Sequence, residues 1–312
     1  MIPCTEFIPA YSELFAFLEE HYGRTEVDNF WTYLFIPDGK GIPLINFLEK
    51  EGIRGCFSYW KGTRNEEAAD FTLYLNEKRG FFLMAMHHCP SKGRLLQFKE
   101  TRGITPYRDY CLHCDHYRAS AEKAGLKYIY NFNGIDHAAC SMLIYDPKIF
   151  DGRVIIDDDT EIMDRKASDN EYFHRDFHSS MNNGVQYLGE NYGEEAIDAY
   201  LTRYTKNVCK QALADVKERG LDAVADYIRG VYAQEKAEDA VTIFQTDDSL
   251  TVTVHYCPAV RHLRETGRDV SPWFAKTTEV VMAVLADAGG LTFSMESYDA
   301  ETGAVSYHFL RQ

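Results

Sequence analysis

Four cysteines, Cys89, Cys111, Cys114 and Cys140, are interleaved with His87, His88, His113, His116 and His137 in one stretch of the chain. Cys111 and Cys114 stand three apart, so on a helix their thiols share a face. That is the spacing a soft metal ion needs to draw two ligands from one element. Cys89 is expected to end a strand and Cys140 to open another, which makes the four a candidate site for Zn²⁺ or another divalent transition metal. Four protein thiolates close such a site, whereas three protein ligands leave a position for water. A water held there has a lowered pKa, and the ion polarises the bond it attacks. Two other readings stay open: a nucleophilic or redox cysteine, and buried thiols that only fill core space.

A second constellation is Tyr172-Phe173-His174-Arg175-Asp176-Phe177-His178. His174 and His178 are four apart, so on a helix they would face one way, with Asp176 pointing elsewhere. They are candidate acid/base groups, as is Asp115, beside Cys114. The alternative is a solvated helix start with Asp in the first turn, where the dipole favours it. Asn65, Glu66, Glu67 and Asp70 follow Trp60 in WKGTRNEEAADF and read as a helix start or polar loop before a strand, with a carboxylate base as the sharper option. Phosphate-binding glycine loops, Ser-His-Asp order and the dinucleotide fingerprint are missing in usable context.

The elements that must position these residues occur twice. His21-Tyr22-Gly23 and Asn191-Tyr192-Gly193 each separate two helical patterns. Gly23 precedes Cys89 by 66 residues and Gly193 precedes Cys257 by 64. Both cysteines are followed by proline, in HHCPSKGRLL and HYCPAVRHLR. Thr105-Pro106-Tyr107 and Ser271-Pro272-Trp273 then open a helix each, with a good N-cap and proline at the first position. Those helices stop near Gly125-Leu126 and Gly290-Leu291. Helical periodicity begins each copy: YSELFAFLEEHYG, EVDNFWTYL and GIPLINFLEKEG, against EEAIDAYLTRYTKNVCKQALADVKERG and LDAVADYIRGVYAQE. Hairpins follow, DFTLYLNE with FFLMAMHHC and VTIFQTD with SLTVTVHYC. The expected fold is α+β, a tandem duplication of a helix-hairpin-helix-hairpin domain with antiparallel sheets. Its expected domains are 1–146 with the Cys/His cluster and 171–312, joined by an acidic linker, 147–170, with one short strand at Arg153 to Ile156. Aligning the repeats puts Thr277 and Val280 where Cys111 and Cys114 stand, and Val305 near Cys140. The second copy thus keeps the frame and, of the four cluster positions, only the cysteine at Cys257.

The length of 312 residues suits two domains. A net charge of −15 argues against nucleic acid and against an anionic membrane surface. No run of 18 apolar residues and no signal-peptide pattern is visible. A soluble cytoplasmic protein is therefore expected, its eight cysteines free or metal-bound rather than paired. The high share of tyrosine and phenylalanine suggests cores or pockets walled by flat rings.

The stretch CLHCDHYRASAEKAGLKYIYNFNGIDHAACSMLIYD resembles the L-2-amino-thiazoline-4-carboxylate hydrolase-like domain. More distantly it is similar to the bacteriochlorophyll vinyl-reductase type of domain, whose cysteines in related sensor modules hold zinc beside a small-molecule pocket. The resemblance covers about residues 10–146, with a weaker echo in 180–312. It implies that Cys89, Cys114, Asp115 and Cys140 fall on characteristic positions, and that the activity is the opening of a cyclic amidine-type ring by water. The tandem arrangement departs from a single-domain hydrolase. The expectation is a zinc-dependent hydrolase (or related lyase) for a small cyclic C–N or C–S substrate, with Cys89, Cys111, Cys114 and Cys140 on the metal and Asp115, His174 or His178 as acid/base. The rival expectation is a zinc-containing module that binds or senses a small molecule without catalysis. The partner is a small molecule, with a homo-oligomer left open.

Overall fold

The computed structural model describes residues 1–35 and 43–311, so the opening Gly41-Ile42 of the third expected helix lies outside them. The chain divides into two compact units. The first-half unit comprises Leu18–Glu100 and Thr105–His174, and the second-half unit Met1–Phe17, Thr101–Ile104 and Arg175–Gln312. The N-terminal segment, expected within 1–146, thus belongs with the second half. Its contacts give the reason: Phe7 stacks on Phe177 at 4.2 Å, and the buried Tyr200 hydroxyl donates to the Ala10 carbonyl at 2.9 Å.

Helix α1 (Phe7–Tyr22) leads into the first-half unit, which holds α2 (Arg24–Leu34), α3 (Leu44–Glu51) and α4 (Arg54–Glu66). A hairpin follows, β1 (Asp70–Asn76) and β2 (Phe81–His88), then α5 (Pro90–Arg102), a 3-10 turn (Tyr110–His116) and α6 (Tyr117–Lys123). Strands β3 (Lys127–Asn131), β4 (Cys140–Tyr145) and β5 (Glu161–Arg165) complete an antiparallel sheet ordered β3-β4-β2-β1-β5. Alternation in β1 and β2 buries Phe71, Leu73, Phe82, Met84 and Met86. Helix α4 covers the sheet by stacking Trp60 on Phe82, ring centroids 5.3 Å apart.

The second-half unit has α7 (Phe177–Tyr192), α8 (Glu194–Val208), α9 (Lys210–Arg219), α10 (Leu221–Gln234), β6 (Val241–Gln245), β7 (Ser249–Val254), α11 (Pro258–Glu265), α12 (Lys276–Ala288), β8 (Leu291–Tyr298) and β9 (Val305–Arg311). Its antiparallel sheet is ordered β6-β7-β9-β8. The first-half sheet has the same order, β1-β2-β4-β3, with β5 added outside β1. The correspondence reaches single residues. Thr72 bonds His87 and Thr242 bonds His255, each at 2.8 Å. Gly52 and Gly220 both break a helix pair at a φ of 60° and 61°, the left-handed region that glycine reaches at least cost. Ala68 and Lys236 take the same conformation, φ 51° and 54°, each just past a buried glutamate, Glu67 and Glu235.

Several expected elements differ. Pro90 and Pro258 each start a helix, because proline at the first position forfeits no helical hydrogen bond and Cys89 and Cys257 sit at the N-cap. Cys111 and Cys114 lie on a 3-10 turn, not an α-helix. The long helical pattern from Glu194 breaks at Cys209 into α8 and α9. The strand expected at Arg153 to Ile156 is irregular, and β5 lies further on. The acidic stretch before it is no free linker: Asp157 accepts from the fully buried Asn76 amide at 2.8 Å and from Arg79 Nε at 2.6 Å. Among the described residues no helix is long and apolar enough to cross a membrane.

Candidate active site

Four elements of the first-half unit bring its thiols into one neighbourhood. Cys89 follows β2; its N–H donates to the Ala138 carbonyl at 2.6 Å, and its Sγ accepts the Lys92 N–H at 3.5 Å as the cap of α5. Cys111 and Cys114 come from the 3-10 turn. Cys140 opens β4 opposite Met86 of β2. The Tyr130 hydroxyl on β3 lies near the sulfurs of Cys114 and Cys140 and favours their thiolate forms. The end of α4 adds Arg64, which pairs with Glu67 and feels Cys89, Cys114 and Tyr117 electrostatically.

Burial sets the charge states. It pushes all four thiols up, Cys114 to about 11 and Cys140 to about 12; the Arg64 guanidinium pulls Cys89, Cys114 and Cys140 the other way, and Lys92 does so for Cys111. All eight cysteines are free. Burial lowers His113 to about 4, so its ring is neutral near pH 7. Nδ1 lies against the Tyr110 carbonyl and must carry the ring proton, because a carbonyl oxygen can only accept. Nε2 is then a lone pair, 3.6 Å from Cys114 Sγ. The resting pair is a thiol and a neutral imidazole positioned to take its proton, beside a buried guanidinium and a phenol.

No three of these sulfurs are gathered as closely as a bound ion would hold them. In a tetrahedral thiolate site with Zn–S near 2.3 Å, sulfurs stand roughly 4 Å apart. Among the described residues, no three of Cys89, Cys111, Cys114 and Cys140 hold their sulfurs within 4.8 Å of one another. Cys89 Sγ already accepts the Lys92 N–H at 3.5 Å.

The three expected acid/base residues lie elsewhere. Asp115 pairs with Arg118 at 2.6 Å, and both side chains are well exposed. Helix α7 starts only at Phe177, so His174 is not on it; its Nδ1 bonds Glu66 in the first-half unit. His178 belongs to the second-half unit and bonds Glu235 at 3.0 Å. There Cys4, His178 and Glu235 form a trio whose ligand atoms all lie within 4.8 Å of one another, each residue buried. Asp176 instead bonds His262 at 2.7 Å and Arg268 at 2.8 Å. The second-half unit also has a cleft of about 620 Å³ beside α8 and α12, where Lys276 meets Glu194 at 2.6 Å and Asp198 and Glu279 at 3.3 Å. Those ion pairs satisfy the cleft's lysine and present no nucleophile.

No family model, curated protein or solved structure matches this chain. The residues that sequence reasoning passed over are Arg64, Tyr130, Cys4 and Glu235; Glu67 was singled out as a possible carboxylate base and is instead the buried partner of Arg64. One signal was available: the sequence pattern puts Glu67 and Glu235 at matching places just past a helix, where a buried carboxylate needs a partner.

Proposed function

We propose that the first-half unit is a cysteine-dependent hydrolase for a small substrate with an electrophilic carbon in a C–N or C–S bond. The observation carrying this reading is the lone pair of His113 Nε2 facing Cys114 Sγ beside Arg64. The second half has Glu279, Val280 and Tyr232 at the corresponding places and retains no such pair. In the proposed reaction Cys114 Sγ bonds to the substrate carbon while His113 Nε2 takes the thiol proton. That proton passes to the departing nitrogen or sulfur as its bond to carbon breaks. Water, giving its proton to the same imidazole, then releases the product and restores the thiol. Arg64 and the Tyr130 hydroxyl favour negative charge on sulfur along this path. The resemblance to the 2-amino-thiazoline-4-carboxylate hydrolase-like domain supports the substrate class, and the shared strand order supports two copies of one ancestral unit. Eight free thiols suit a reducing, cytoplasmic setting.

The test is turnover of 2-amino-thiazoline-4-carboxylate and related cyclic amidines by the wild type and by Cys114→Ser, with mass spectrometry of the trapped enzyme. A thioester-type adduct on Cys114, and loss of turnover in Cys114→Ser, is the expected result. Turnover surviving Cys114→Ala would overturn the assignment. Saturable binding of these compounds without turnover would favour the rival reading, a ligand-binding module.

A further inference from the structure

We propose that Cys4, His178 and Glu235 form a binding site for a single divalent transition-metal ion, with zinc as the chemistry that fits best. Three separate elements of the second-half unit supply the donors. Cys4 stands in the 3-10 turn Cys4–Glu6, His178 in the first turn of α7, and Glu235 just past the end of α10. Their exposures are 1%, 2% and 1%. One sulfur, one imidazole nitrogen and one carboxylate oxygen are the donor types that tetrahedral zinc takes.

The carboxylate is already oriented for one donor atom. Its Oε1 accepts the Cys4 backbone N–H at 2.5 Å, and Oε2 faces His178 Nε2 at 3.0 Å. An outer hydrogen bond to one oxygen, leaving the other toward the ion, is how proteins fix a ligating carboxylate. Zinc at about 2.0 to 2.3 Å from each donor puts the donors roughly 3.3 to 3.8 Å apart. From their 4.8 Å limit the donors need to move by at most about 1.5 Å, with the His178–Glu235 pair at 3.0 Å opening slightly, a side-chain adjustment.

Charge supports the same conclusion. A thiolate, a carboxylate and a neutral imidazole around a dication sum to zero, which a dry interior tolerates best. The repeat supplies an independent comparison. In the first-half unit the corresponding glutamate, Glu67, is neutralised by Arg64. In the second-half unit Tyr232 stands where Arg64 would be, and the carboxylate faces an imidazole and a thiol instead. An arginine has been exchanged for metal-ligand chemistry at one position of a shared fold. The metal displaces the Cys4 thiol proton on binding and leaves a fourth position for water. With all three donors buried, its role is to fasten the segment ahead of α1 to α7 and α10.

The experiment strips the full-length protein with a chelator, then titrates it with Zn²⁺ against a chromophoric competitor and with Co²⁺ as a spectroscopic probe. The expected result is one ion per chain, a thiolate-to-cobalt charge-transfer band, and a Tm that rises with Zn²⁺. Cys4→Ser and His178→Gln should each weaken binding by at least tenfold to a hundredfold, while Cys114→Ala should leave it unchanged. Stripped wild type that is folded yet takes up no ion, or uptake lost in Cys114→Ala and kept in Cys4→Ser, would overturn the site. If a variant fails to fold, the zinc dependence of the wild-type Tm and the cobalt spectrum decide the matter alone.

Discussion

Replacing Glu67 with Gln leaves Arg64 charged in the first-half unit with nothing to balance it. The side chains of Arg64 and Glu67 are 11% and 7% exposed, so water screens neither. Arg64 Nε has no hydrogen-bond partner, and the guanidinium therefore depends on Glu67. At an effective dielectric near 20, two unit charges in contact attract by about 5 kcal/mol. Desolvation of both ions consumes most of that, so the intact pair is close to neutral for stability. Removing one partner forfeits the attraction and keeps the other's desolvation cost, about 3–5 kcal/mol. A domain with about 5–15 kcal/mol in total loses a large fraction of its stability. Urea unfolding followed by tryptophan fluorescence reads this directly, since Trp31 and Trp60 both lie in the first-half unit. Glu67→Gln should unfold at much lower urea, while Arg64→Met with Glu67→Leu should recover most of the loss, because two apolar groups need no charge balance. A cost for Glu67→Gln under about 1 kcal/mol would refute the claim that the pair is buried and mutually dependent.

Other expected outcomes follow from the same geometry. His113 is held at about 4 when folded and near 6.5 when unfolded. Between those values the unfolded chain binds the extra proton, so stability falls as pH drops through that window, by roughly 3 kcal/mol in all; His113→Gln should flatten that part of the stability–pH curve. Glu235 works lower down: burial pushes its carboxyl up, but the bonds from His178 and the Cys4 N–H outweigh this and hold it below 4.5. Its contribution is present above pH 4.5 and is lost as pH falls through the depressed value, which Glu235→Gln would remove in a calorimetric pH series. Cys257→Ala should cost about 1–3 kcal/mol and leave turnover intact, whereas Cys114→Ala should abolish turnover at little cost in stability. Asp115→Asn, which breaks only an exposed pair with Arg118, should change stability by less than about 1 kcal/mol and leave turnover unchanged.

The fold was legible in the sequence wherever periodicity and punctuation agreed. The α+β class with antiparallel sheets follows from hairpins such as DFTLYLNE with FFLMAMHHC, and left-handed glycines at Gly23 and Gly193 mark the matching helix breaks. Helices α5 and α11 were not expected, although Pro90 and Pro258 stand at a first helical position, where proline forfeits no hydrogen bond. Strand β5 escaped because Glu161–Arg165 alternates too weakly to announce itself and is held by pairing with β1. Among the site residues, Cys89, Cys114 and Cys140 were visible by type. The decisive contacts were not, since Tyr130 is one aromatic among many in the sequence. That His113 acts through Nε2 depends on where the Tyr110 carbonyl points, which no spacing rule reveals.

The two buried glutamates, Glu67 and Glu235, link the two proposals. Each sits past the last turn of a sheet-covering helix, just before a residue in the left-handed conformation, and each must be compensated. With arginine as the partner, the compensating charge has reach beyond its ion pair, and the thiols of the first-half unit lie within its field. Their retention in that copy is then chemically consistent: a guanidinium that favours thiolate is useful only where thiols remain. With a thiol and an imidazole as partners, the charge is contained within the trio, and nothing beyond it is activated. The thiols at positions 277, 280 and 305 would gain no such field, and threonine and valine fill those places. On the proposed reading, the partner beside each glutamate, Arg64 in one half and Cys4 with His178 in the other, is what would separate nucleophilic chemistry from ion binding.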